Sequence, residues 1–171
     1  MSDFGHRLQL DRIRDGERIE LSADEAERRA ISERLGLAGL ERFEAHAALA
    51  RNGGEIRATG RLQATLEQNC VVTGEPIPAH VDAPFALKFL PEPTGSHSDE
   101  EVELAEDECD VVFHDGAAID LGSAIADTLA LNLDPYPRSA GADAALKEAG
   151  IMTEEEASPF AALAALKRDN V

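Results

Sequence analysis

EIRATGRLQATLE, residues 55–67, decides the fold class. Its even positions carry Ile56, Ala58, Leu62, Ala64 and Leu66, with Gly60 among them; its odd positions carry Arg57, Thr59, Arg61, Gln63, Thr65 and Glu67. A period of two puts one set of side chains on a buried face and the other in water, the pattern of a half-covered antiparallel strand. Upstream, Phe43, Ala45, Ala47 and Leu49 alternate in the same way and lead into the turn signal Asn52-Gly53-Gly54. Downstream, a Thr73-Gly74-Glu75-Pro76 turn precedes Val81, Ala83, Phe85, Leu87 and Phe89, again at alternate positions. These runs predict an antiparallel meander over residues 41–90. Parity places Ile56, Leu62, Leu66, Phe85, Leu87 and Phe89 inside, and leaves Arg57, Arg61 and Gln63 exposed.

The flanks supply helices for the buried face. Ser22 and Glu25 read as a capping box opening a helix over 23–35, and Gly36 is its C-terminal stop. Asp120 caps a second helix carrying Leu121, Ile125, Leu129 and Leu133, which ends at Asp134-Pro135-Tyr136-Pro137. Short strands are expected at 4–10, at 17–21 after the Asp15-Gly16 turn, and at 111–113. The fold class is therefore α+β, an antiparallel sheet packed by a few helices. Residues 1–137 read as one domain with an acidic loop at about 92–110, where eight of the twelve residues from Asp99 to Asp110 are acidic. So dense a run of like charge repels itself and is expected to be mobile. A small, Ala/Gly-rich and acidic stretch at 138–157 reads as a tether. Ser158-Pro159 then opens a short C-terminal helix over 158–168, with Phe160, Leu163 and Leu166 on one flank.

Charge narrows the classes of partner. The 171-residue chain has net charge −18, but residues 1–90 hold 12 Lys/Arg and 15 Asp/Glu while residues 91–171 hold 4 and 19. A near-neutral, Arg-rich half is thus joined to a strongly acidic one. Bulk attraction to RNA or to an anionic membrane is disfavoured, and attraction to basic proteins is favoured. No apolar core of signal-peptide type opens the chain, and no apolar run approaches the ~18 residues that cross a bilayer. Cys70 and Cys109 form no disulfide framework. A cytoplasmic location is expected.

Motifs for phosphate-binding loops, dinucleotide binding, nucleophile elbows and zinc proteases are absent from the sequence. The spacing of Cys70, Cys109, His97 and His114 does not describe a zinc site. No enzyme, cofactor or metal is therefore expected. The remaining chemical feature is Arg57 and Arg61 on one face of a strand, where two guanidinium forks suit phosphates or a partner's carboxylates. The alternative use of that pair is cross-strand pairing with Glu41, Glu44 or Glu67.

Three stretches together resemble the YceD family of large ribosomal RNA subunit accumulation proteins. They are Cys70-Val71-Val72-Thr73-Gly74-Glu75-Pro76-Ile77, running into the strand that ends Phe85-Ala86-Leu87-Lys88-Phe89-Leu90-Pro91; Ile119-Asp120-Leu121 with Leu131-Asn132-Leu133-Asp134-Pro135-Tyr136-Pro137; and Ser158-Pro159-Phe160-Ala161-Ala162-Leu163-Ala164-Ala165-Leu166-Lys167. The resemblance covers about residues 20–168. It implies a role in accumulating large-subunit ribosomal RNA during ribosome assembly, with no catalytic residues to carry over. Many relatives have a second cysteine three residues after the first, where this chain has Thr73.

The combined expectation is a non-enzymatic assembly factor. It binds a ribosomal protein or another assembly factor, with Phe160, Leu163 and Leu166 as anchors. The alternative is a module that binds ribosomal RNA directly through the Arg-rich N-terminal half, with Arg57 and Arg61 as candidate contacts.

Overall fold

The computed structural model describes residue 4, residues 6–93 and residues 110–151. The acidic stretch 94–109 and the C-terminal motif with Phe160, Leu163 and Leu166 lie outside the described residues. Ten elements follow in order: β1 (Arg7–Gln9), β2 (Arg18–Ser22), α1 (Glu25–Leu35), β3 (Gly39–Asn52), β4 (Glu55–Asn69), β5 (Pro76–Pro91), β6 (Asp110–His114), β7 (Ala118–Asp120), α2 (Leu121–Leu131) and α3 (Ala142–Glu148). Strands β2 to β6 form one sheet in sequence order, and β1 and β7 form a separate two-stranded antiparallel sheet. The architecture is α+β.

The described residues fall into two compact units, one within residues 4–68 and 78–134, the other within residues 69–77 and 135–151. In the first unit, β2 pairs antiparallel with β3, and β3 pairs antiparallel with β4 from Gly39↔Glu67 to Asn52↔Glu55. Beyond the meander of residues 41–90 the sheet gains one more strand, whose direction the sequence left open. β6 joins β5 in parallel, Leu87 facing Asp110 and Pro91 facing His114. The long segment between these strands is what permits this, because parallel neighbours need a crossover that a tight turn cannot make.

Parity holds along all three long strands. Ile56, Leu62, Leu66, Phe85, Leu87 and Phe89 are buried, together with Phe43 and Leu49. Ile31 of α1 and Leu121, Ile125 and Leu129 of α2 belong to the same buried cluster, so helix side chains complete the core begun by the inward sheet residues. Gln63 and Arg61 are exposed as expected, whereas Arg57 is half-buried. Two starts differ from expectation. The N-cap of α1 is Asp24, not Ser22, and the capping box is closed by Glu27, not Glu25: Asp24 Oδ1 accepts from Glu27 N at 2.8 Å and Glu27 Oε2 from Asp24 N at 2.9 Å. Ser22 is held in the β2–β3 ladder opposite Glu44, which delays the helix by two residues. The α2 cap is as expected, with Asp120 Oδ1 accepting from Ser123 N at 3.0 Å.

In the second unit, the described residues are 69–77 and 135–151. Part of the stretch read as a tether is helical, since α3 spans Ala142–Glu148.

Candidate functional site

The outer face of the sheet carries Arg57 and Arg61, and both are engaged. Arg57 Nη2 lies 4.0 Å from Glu55 Oε1, a carboxylate that Lys88 Nζ also approaches at 3.5 Å. Arg61 Nε donates to Asp82 Oδ1, and Gln63 Nε2 reaches the other oxygen of that carboxylate at 3.3 Å. The Arg61 hydrogen bond holds the Asp82 carboxyl below its ordinary range, with Gln63 adding to the effect. The pairing partners are thus Glu55 and Asp82, not Glu41, Glu44 or Glu67. Glu44 instead pairs along its own strand with Arg42 at 2.6 Å, which lowers the Glu44 carboxyl. These exposed pairs add little stability, and they set two carboxylates, Glu55 and Asp82, among three cations, Arg57, Arg61 and Lys88. The adjacent open groove of about 580 Å³ sets Glu20 and Glu44 against the single cation Arg61, with His46 and Gln63 beside them. It is poorly suited to an anion.

A second assembly joins two of the stretches quoted above. Cys70, 3 % exposed, follows directly on β4. Its N–H donates to Glu75 O at 2.8 Å and its carbonyl accepts from Gly74 N at 2.9 Å, closing a tight turn. Gly74 has φ 74°, a left-handed conformation that glycine enters at little cost. Onto this turn folds the chain after Tyr136: Val71 N donates to Pro137 O at 2.9 Å, and Ser139 N donates to Cys70 Sγ at 3.3 Å. Thr73 N donates to the same sulfur at 3.4 Å, and the Thr73 and Ser139 hydroxyls are 3.4 Å apart. Val71 and Tyr136 remain exposed at 54 % and 75 %.

Donors converging on sulfur stabilise its anion. Hydrogen bonding from Ser139, and then from Thr73, draws the Cys70 thiol down to about 6 against the opposing effect of burial. The same geometry bears on metal binding. Thr73 presents an N–H donor to Cys70 where a thiolate ligand would present a lone pair. Among the described residues there is no group of three or more His, Cys, Asp or Glu side chains placed to hold a metal. Ser139 lies 69 residues from Cys70 and was not singled out by sequence reasoning; its only signal was its position two residues beyond the Pro135-Tyr136-Pro137 stretch.

The sulfur makes unit stability depend on pH. The folded thiol titrates near 6 and the unfolded one near its ordinary value of 9.0, so the folded state holds the thiolate more strongly. Its contribution is full above the unfolded value, declines as pH falls, and is gone below about 6. In a Cys109→Ser background, thiolate absorbance in the ultraviolet is expected to titrate near 6. Melts should show protection rising between pH 6 and 9, and Cys70→Ala should remove that rise. A thiol titrating at its ordinary value would contradict the geometry.

No curated protein and no solved structure matches the chain. A family model described as large ribosomal RNA subunit accumulation protein YceD matches residues 58–167. That range takes in most of β4, the whole Cys70 turn, α2 and the Tyr136–Ser139 segment that closes on the sulfur. The chain belongs to the YceD family.

Proposed function

We propose that this chain promotes accumulation of large-subunit ribosomal RNA without catalysing a reaction, by binding a ribosomal protein or a ribosome-assembly factor in the cytoplasm. The family description supports the process. The observation that carries the choice of a protein partner over RNA is the engagement of Arg57 and Arg61 by Glu55 and Asp82. With those cations paired and fifteen of the chain's eighteen net negative charges beyond residue 90, its electrostatic complement is a polybasic protein. The hydrogen bonds to the Cys70 sulfur come from donors, which favours a structural thiolate over a nucleophile served by a general base. No helix among the described residues is long and apolar enough to cross a membrane.

The test is a binding comparison on the full chain, with purified large-subunit ribosomal proteins in one series and large-subunit ribosomal RNA fragments in the other. Affinity for at least one basic protein should fall tenfold or more between about 50 and about 500 mM salt, as screening predicts. The double variant Arg57→Ala, Arg61→Ala should leave protein affinity within about twofold, since exposed pairs contribute little. RNA bound more tightly than any protein, and released by the double variant, would establish the RNA-binding alternative instead.

A further inference from the structure

We propose that the open edge of β6, with the groove between β6 and α2, binds an extended basic segment of a partner protein by strand addition. This deepens the protein-partner reading and rests on it. Among the described residues β6 is the last strand of the sheet, hydrogen-bonded on one side to β5. Exposed sheet edges in proteins are ordinarily blunted by lysine, proline or a bulge. The opposite edge, β2, carries the outward charges Arg18 and Glu20. β6 reads Asp110-Val111-Val112-Phe113-His114 and has no such device within its apolar run. Phe113 is 56 % exposed, which leaves apolar surface on this edge for a partner to cover.

The two sides of this edge differ in chemistry, which defines what an added strand must present. On the inner side, Val112 packs against the core and borders a groove of about 340 Å³ whose lining includes Ile119 and Ala124. Carboxylates dominate the rim of that groove: Glu92, Asp115, Asp120 and Asp127 stand against Arg7. Two of them are partly neutralised, Asp115 by Arg7 at 3.6 Å and Asp127 by Arg34 at 3.0 Å. Hydrogen bonds from the N–H groups of Ala117 and Ala118 hold the Asp115 carboxyl below its ordinary range. On the outer side, Phe113 lies in register with Leu90 and Val111 with Lys88. Residues of an added strand point alternately to the two sides. The fitting segment therefore alternates Lys or Arg, facing the carboxylates, with apolar residues, facing Phe113.

The probe is a synthetic peptide of about nine residues alternating lysine and valine, long enough to span the five-residue edge. Its control has the same composition with the lysines in one block and the valines in the other. Each is titrated into ¹⁵N-labelled full chain. The alternating peptide should shift the amides of residues 110–114 and bind at least about tenfold more tightly than the block peptide. Phe113→Ala and Glu92→Lys should each weaken it about tenfold while leaving the melting temperature in place, because both side chains are exposed. Equal binding of the two peptides would reduce the effect to net charge and overturn strand addition. So would shifts confined to the Arg57 and Arg61 face, or a dimer formed through β6 without peptide. Movement of the 110–114 amides on deleting residues 158–171 would show that the chain's own tail covers the edge, and would also overturn it. Ribosomal proteins captured equally by wild type and Phe113→Ala would refute this surface and leave the protein-partner reading standing. No basic protein captured at all would refute both.

Discussion

Replacing Gly60 with alanine is expected to lower the melting temperature by about 10 °C, and replacing it with valine to leave little folded chain to melt. Gly60 sits on the inward parity of β4, opposite Ala47 of β3. A Cβ at this position would overlap the main-chain carbonyl oxygen of His46 and stand 2.8 Å from Phe85 Cζ. The carbonyl is main chain in a paired strand, so it cannot turn aside as a flexible side chain would. Phe85 is itself buried, 6 % exposed, in a core where side chains are close-packed. Overpacking of this kind costs ~3 kcal/mol, against a total stability of ~5–15 kcal/mol for a domain. At about 3 °C per kcal/mol for a chain of this size, the alanine variant reaches the stated shift. Valine brings two further methyl groups to the same spot. Gly54 provides the control, because the nearest atom to a Cβ there is Pro91 Cγ at an ordinary 3.8 Å. Gly54→Ala should change stability by less than about 1 kcal/mol. Thermal melts followed by circular dichroism decide the matter, and a Gly60→Ala chain as stable as wild type would mean that β3 and β4 are not in this register.

Removing residues 158–171 is expected to abolish capture of ribosomal components while moving the melting temperature by no more than about 2 °C. The acidic, Ala/Gly-rich stretch ahead of it reads as a tether, which sets the tail apart from the α+β domain. Ser158-Pro159 begins a helix well, yet about nine residues are too few to hold helical structure alone in water. Phe160, Leu163 and Leu166 fall at spacings of three and would reach one groove together. Burying even two such side chains contributes about 3 kcal/mol, so their loss should weaken binding about a hundredfold. Capture from purified ribosomal proteins measures the first effect and a melt the second. A fall of many degrees would assign the tail to the core, and unchanged capture with an unchanged melt would remove it from the binding surface.

The Gly60 result turns on a feature that the sequence carried only in part. Parity placed Gly60 among the inward residues, but nothing in a single sequence says how near a neighbouring strand's carbonyl comes. The arginines show the same division. Their shared face followed from the spacing of Arg57 and Arg61, since side chains two or four apart in a strand point the same way. Their partners did not, because cross-strand partners are set by register, and register joins residues far apart in the chain. Asp82 meets Arg61 from 21 residues away.

Local physics determined what the sequence alone could determine here: the buried and wet faces of β3, β4 and β5, the Asp120 cap of α2, the existence of α1 and the sign of the charge. Each rests on residues within one or two turns of a helix, or within a few positions along a strand. The tertiary structure decided the rest. It moved the α1 cap to Asp24, because pairing with β3 holds Ser22 in a strand. It laid β6 parallel to β5, and it brought Ser139 to the sulfur of Cys70. Those outcomes depend on which distant segments come to share hydrogen bonds, and hydrophobic periodicity, which repeats every two or 3.6 residues, carries no record of a partner 69 residues away.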